Sequence, residues 1–243
     1  MPAAVVLGAR HLGGAIIERL VADGWSVASV VQSDDTMAAI RERGAKALRA
    51  NALEPGELAA ALAHAREKLG GLDLIVNSIS VVKPRPGDRH HGGGPIAEAT
   101  LEDYRHWGPP ISELGFVFLS EGARALRAGG TGGLMIQTTN VASRVPSAGQ
   151  GIWASGHHGL RALVGAAAQE LREEGIRVCL LRIDGPIASA KNEQRLKDEG
   201  VPPEATVAQP QIADAVAYLA GQGPRALTYE LVVTAAGRPP TIT

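Results

Sequence analysis

The residues best equipped for chemistry in this chain cluster between positions 139 and 158. They are Thr139 and Asn140, then Trp153, Ser155 and the pair His157-His158 within Gly151-Ile-Trp-Ala-Ser-Gly-His-His158. Thr139 or Asn140 could donate to a carbonyl oxygen, and a histidine exchanges protons near neutral pH. No nucleophile, base and orienting group fall into a recognisable set, however. The plainer expectation is a run of polar residues at the start of a helix, with one histidine facing solvent. Two further acids stand apart. Asp184 is expected to organise the turn before Gly185-Pro186. Tyr104, within Asp103-Tyr-Arg-His-Trp107, is expected to pack in an amphipathic lead-in to the next helix. His90-His91 resembles half of a metal site, but neighbouring residues in a glycine-rich loop lack further ligands at a defined spacing, so no metal is expected.

A second constellation lies near the N-terminus, in Gly8-Ala-Arg-His-Leu-Gly-Gly14 between a strand and a helix. Such a turn aims the amides of a helix N-terminus at a pyrophosphate, and glycine lets the backbone approach it. The spacing of Gly8, Gly13 and Gly14 is not that of the dinucleotide fingerprint. At the end of the second strand an acidic residue would grip the ribose hydroxyls of NAD. Val30-Val31-Gln32-Ser33 offers no carboxylate before Asp34. Arg10 and His11 instead suit a 2′-phosphate, which favours NADP(H). Asp34 and Asp35 suit the positive end of the next helix.

These residues need a scaffold, and the hydrophobic pattern supplies one. Strand-length apolar runs at Ala3–Gly8, Ser26–Val31, Lys46–Ala50, Leu72–Asn77, Gly133–Thr139, Ile176–Ile183 and Tyr229–Thr234 alternate with helix-period segments. The helices fall at Gly13–Asp23, Asp34–Arg43, Pro55–Leu69 and about 111–128, 151–174 and 210–221. Buried strands alternating with helices predict a doubly wound, parallel, seven-stranded sheet in a three-layer α/β sandwich, with right-handed crossovers. One domain spans residues 1–243. Val82–Pro95, with three Pro and four Gly, excludes regular structure and reads as a flexible loop at the carboxyl edge of the sheet. Residues 188–210, a charged helix over Lys191–Asp198 and a Pro-rich connector, read as a polar lid over the substrate region.

Composition narrows the classes. Hydrophobic residues make up 45% of the 243, aromatics only 3%, so the core is aliphatic. A net charge of −1 gives no reason to expect nucleic acid or an anionic membrane as partner. One cysteine, Cys179, allows no internal disulfide and fits a reducing compartment. The chain enters an apolar strand almost at once, so a signal peptide is not expected and a cytoplasmic location is.

Taken in order, these pieces resemble the short-chain dehydrogenase/reductase family over essentially the whole chain. The family's TGxxxGxG motif is matched by Leu7-Gly8-Ala-Arg-His-Leu12-Gly13-Gly14, with the Thr and the middle Gly replaced. Its Asn-Asn-Ala-Gly motif is matched by Asn77-Ser78-Ile79-Ser80, which keeps the first Asn. Asp184-Gly185-Pro186-Ile187 resembles the turn after the sixth strand, and Leu227–Val233 the last strand. The resemblance makes Gly8, Arg10, His11, Gly13, Gly14, Gln32, Asn51 and Asn77 the candidate nucleotide contacts, with NADP(H) bound weakly or not at all.

Carried over by spacing, the family's catalytic Asn falls on Ser112, its Ser on Asn140, its Tyr on Trp153 and its Lys on His157. Every member is substituted. In the family the Tyr gives a proton to the carbonyl while hydride arrives from the nicotinamide, and the Lys lowers the Tyr pKa and holds the ribose. Indole has an N–H but does not usefully ionise, and neutral imidazole supplies no fixed charge. A positioned general acid is worth about 10²–10⁴ in rate, roughly 3–5 kcal/mol of barrier. The expectation is therefore a non-catalytic family member, a subunit or partner of an active paralogue. The alternatives are a noncanonical NADP(H)-dependent oxidoreductase of small carbonyls or alcohols using His157 or Asn140, and a nucleotide- or metabolite-binding sensor. The family also pairs two long helices across a dimer axis, here Pro110–Ala128 and Trp153–Glu174. The second of them carries Leu160, Leu163, Val164, Ala167, Ala168 and Leu171. A homo-oligomer, or a hetero-oligomer with a paralogue, is expected.

Overall fold

A computed structural model describes residues 1–239 apart from 87, 89, 191 and 224. Its strands β1 (Ala3–Leu7), β2 (Ser26–Val31), β3 (Lys46–Arg49), β4 (Leu74–Asn77), β5 (Gly133–Asn140), β6 (Ile176–Asp184) and β9 (Glu230–Thr234) form one sheet. The order is β3-β2-β1-β4-β5-β6-β9, and every neighbouring pair is parallel. The expected seven-stranded, doubly wound sheet is thus present. Strands β7 (Ile187–Ala188) and β8 (Val207–Ala208) pair separately, a small ladder the apolar pattern did not announce because each has only two residues.

Helices cover both faces: α1 (Leu12–Ala22), α2 (Asp34–Glu42), α3 (Pro55–Leu69), α4 (Leu101–Trp107), α5 (Pro109–Gly129), α6 (Gly151–Glu170), α7 (Glu193–Asp198) and α8 (Gln209–Ala220). Each layer has its own apolar core, as a sheet buried on both faces requires. Val5, Ile75, Met135 and Leu180 meet Leu62, Phe118, Leu160 and Val164 on one side. Val6, Val76, Ile136 and Leu181 meet Ile16, Leu20, Ile212 and Val216 on the other. Burying each such side chain is worth about 1.5–3 kcal/mol, so the strand frame is rigid where it carries the site.

Four expectations change. Residues 101–107 are not a lead-in but a separate helix, because Thr100 and Asp103 form a reciprocal capping box and Pro109 and Pro110 open the next helix. Tyr104 on that helix is 45% exposed rather than packed. The loop 82–95 contains one 3-10 turn, His91–Gly93. The charged helix of the lid begins at Glu193, and its expected first residue, Lys191, lies outside the described residues. No helix among the described residues is long and apolar enough to cross a membrane.

Candidate functional site

At the carboxyl edge of β1 the chain turns at Gly8 with φ +84°, a value that favours glycine. The turn then packs against its own helix. A Cβ on Gly13 would lie 1.8 Å from the Gly8 carbonyl oxygen, so only glycine fits there. The Ser78 hydroxyl, just beyond β4, donates to the Leu7 carbonyl at 2.8 Å and braces the turn from below. The result leaves the first amides of α1 at the sheet edge, where an anion would meet the helix dipole.

Beyond β2, Arg10 joins Ser33 and Thr36. Its guanidinium donates to the Thr36 hydroxyl at 3.1 Å and to the Ser33 hydroxyl at 3.2 Å, and the two hydroxyls lie 2.7 Å apart. Asp34 is paired with Arg49, which also donates to the Gln32 carbonyl at 2.8 Å. A guanidinium with two hydroxyls and a neutralised acid is a donor set suited to a phosphate. Sequence reasoning found Arg10 but missed Ser33, Thr36 and Arg49. His11 and Gln32 are exposed at the same edge. Asn51 takes a different role: its side-chain oxygen accepts from the Leu53 amide at 3.2 Å, closing the turn before α3. Asn77 is fully buried; it donates to Gln137 at 2.9 Å and accepts from the Ile79 amide at 3.1 Å, tying β4 to β5.

The second constellation gathers at the ends of β5 and β6, under α6. One histidine of the pair faces solvent, as expected, and it is His158; His157 is 8% exposed. Thr139 Oγ1 lies 3.0 Å from its Nδ1 and Asn140 Nδ2 lies 3.1 Å from its Nε2. The Asn140 side-chain oxygen is already committed to the Ala142 amide at 2.9 Å, so its NH₂ faces the ring. That assigns the tautomer: Nε2 accepts, and Nδ1–H donates to the threonine hydroxyl. A protonated ring would set a donor against the Asn140 donor. Burial, with His158 adding a smaller effect, pushes the imidazole pKa down to about 4. Trp153 lies edge-on to this ring with centroids 4.9 Å apart. Ser112, on α5, donates its hydroxyl back to the Pro109 carbonyl at 3.0 Å. Thr139, Asn140, Trp153 and His157 are therefore brought together, and Ser112 lies on the adjoining helix.

Asp184 does not organise its turn through its side chain. Its carboxylate accepts from Arg182 at 3.1 Å, and Arg182 reaches Glu230 at 3.3 Å, which also holds Arg161 of α6 at 2.5 Å. Burial raises the Asp184 pKa, Arg182 opposing it, and one carboxylate oxygen has no partner. On the outer side, His91 lies 5.0 Å from Trp153 and 4.9 Å from Trp107, edge-on to both. Partial burial, with the charge of Arg195 on α7, holds its imidazole below the ordinary range. No cluster of three or more metal-ligating side chains occurs among the described residues.

Comparison with known proteins agrees with this architecture. The family model described as enoyl-(acyl carrier protein) reductase matches residues 7–238. The 2,5-dichloro-2,5-cyclohexadiene-1,4-diol dehydrogenase of Sphingobium indicum is 27% identical over 201 residues, 81% of this chain and 76% of that protein. A blue fluorescent protein from a metagenomic library, solved in complex with NADPH, is 26% identical with a TM-score of 0.76, covering 97% of each chain. A short-chain dehydrogenase/reductase from Serratia marcescens gives the same identity, TM-score and coverage.

Proposed function

The chain belongs to the short-chain dehydrogenase/reductase family, and on that premise we propose that it binds NADP(H) yet lacks the family's proton-transfer machinery, acting as a non-catalytic subunit or partner of an active relative. The observation that carries the reading is the state of His157. Both ring nitrogens are engaged as a neutral imidazole, and burial holds the ring uncharged at pH 7. Nothing in that arrangement lowers the pKa of a neighbouring donor, and the neighbour is an indole. NADP(H), when bound, supplies hydride. Around position 153 this chain supplies packing.

The nucleotide side fits the dinucleotide. The cradle at Gly8 and Gly13 leaves no room for a Cβ at Gly13, and Arg10, Ser33 and Thr36 would hold a 2′-phosphate. The match to an NADPH-bound neighbour supports the same choice. For assembly, α5 and α6 present Phe116, 59% exposed, beside Leu163 of α6 and Leu53, an apolar outer patch that a second family subunit would cover. One observation favours a second reading: the Asn140–His157–Thr139 chain passes Trp153 at its middle member, His157, and a noncanonical oxidoreductase would draw its proton through it.

Nicotinamide fluorescence during titration with NADPH and NADH tests the binding half, and pull-down from the native host tests the subunit half. Binding of NADPH over NADH, with co-purification of a relative carrying an intact Tyr/Lys pair, is expected. Failure to bind either nucleotide would remove the first half. A homo-oligomer purified alone that turns over NADPH with a ketone would remove the second.

A further inference from the structure

Part of the long segment after β4 lies against the first turn of α6, beside Trp153. Its glycines 92, 93 and 94 have φ of +84°, +97° and +82°. A Cβ on Gly92 would meet Gln150 and the Trp153 Cβ at 3.2–3.3 Å, and one on Gly93 would meet Ile152 at 2.9 Å. The strap therefore lies directly on the first turn of α6, at a spacing that a Cβ on Gly92 or Gly93 would crowd. Ile96 continues the contact, since a Cβ on Gly151 would meet it at 3.3 Å. This laydown puts the His91 ring against the edges of both Trp107 and Trp153.

Arg85 makes the most side-chain bonds that tie the strap down among the described residues. Arg85 donates to Asp88 at 3.0 Å, to Glu102 at 3.0 Å and to Asp103 at 2.6 Å, joining the strap to the first turn of α4. The His106 ring adds a bond to the Lys83 carbonyl at 2.8 Å. The Thr100 hydroxyl and amide, together with Arg85, hold the Asp103 carboxyl down at about 2, so this anchor stays charged throughout the neutral range.

We propose that the described residues between 83 and 98 form a latched cover over the first turn of α6, in which His91 holds the place of a flat aromatic or heterocyclic group of a ligand between Trp107 and Trp153, and Arg85 is the latch. A ligand ring reaching Trp153 must displace His91, and loosening Arg85 lowers the cost of that exchange. The inference concerns access to Trp153 and stands whether or not the chain transfers hydride.

Two variants test it in the full chain, one at the latch and one at the ring. Arg85→Gln touches neither indole and should raise amide exchange over residues 151–157 roughly tenfold, and should raise acrylamide quenching in a Trp25→Phe background. His91→Ala should gain a saturable change in tryptophan fluorescence on adding imidazole, which the unaltered chain lacks. Faster exchange confined to residues 83–98, with α6 and the quenching unchanged in Arg85→Gln, would overturn the latch. Absence of a saturable imidazole response in His91→Ala would overturn the place-holding role.

Discussion

The two ends of the sheet's carboxyl edge treat polar groups in opposite ways. Beyond β1 and β2, the exposed Arg10 gathers hydroxyls around a cation, and Asp34 is neutralised by Arg49. Beyond β5 and β6, Thr139, Asn140 and His157 satisfy one another, and Arg182, Asp184, Glu230 and Arg161 form an ionic cluster that leaves one buried Asp184 oxygen without a partner. An edge that must meet an anion keeps charge at its surface. An edge whose polar groups are mostly engaged with one another stabilises packing, and the acceptor it leaves over, on Asp184, is buried with its carboxyl pKa raised. On the proposed reading, binding geometry and proton chemistry sit in separate halves of this edge, so one is rebuilt without the other.

The largest effect should come from breaking the first half. Gly13→Ala drives a methyl into the Gly8 carbonyl, backbone against backbone, and should cost about 3 kcal/mol of stability; NADPH affinity should collapse with it, read by urea unfolding and nucleotide fluorescence. A comparable effect of pH tests the second half. Unfolded histidine takes up a proton below about 6.5, whereas folded His157 resists until about 4. Its depressed pKa makes stability full above the upper value, falling between the two and level below the lower. The loss should be about 3 kcal/mol, and His157→Gln should flatten it in urea melts at pH 4.5 and 7.

Arg10→Ala gives a smaller and more selective change. It should weaken NADPH binding about 10- to 100-fold, the worth of one or two hydrogen bonds to a charged group, and leave NADH binding unaltered. Equal losses for both nucleotides would erase the contrast between the two edges. Smallest in stability is Phe116→Asp on the exposed face of α5, within about 0.5 kcal/mol by urea melt. Light scattering should nonetheless show it to be a smaller species than the unaltered chain.

The strand frame was legible because buried parallel strands write themselves as apolar runs, and all seven strands of the main sheet fall where those runs lie. Helix α4 was misread because its start is fixed by a capping box at Thr100 and Asp103, a signal weaker than the hydrophobic period that follows. The gathering of Thr139, Asn140, Trp153 and His157 was anticipated by their place at a strand end and a helix start. The burial of His157 was not, since it depends on how deeply α6 settles against β5. Ser33 and Ser78 are short polar residues outside the helices and strands, and Thr36 lies in the first turn of α2; all three are indistinguishable in sequence from ordinary turn and helix-start residues. His91 was weighed as a metal ligand, and its contact with two indoles is a tertiary event that no local spacing encodes.

The central claim is that this chain holds NADP(H) with no proton donor for reduction at Trp153 and His157. The most direct measurement is transfer of deuterium from 4-deuterated NADPH to a panel of aldehydes and ketones, followed by mass spectrometry of the alcohols. The account predicts no labelled alcohol above a protein-free control at nucleotide concentrations that saturate the chain. Labelled product that disappears in His157→Gln would contradict it.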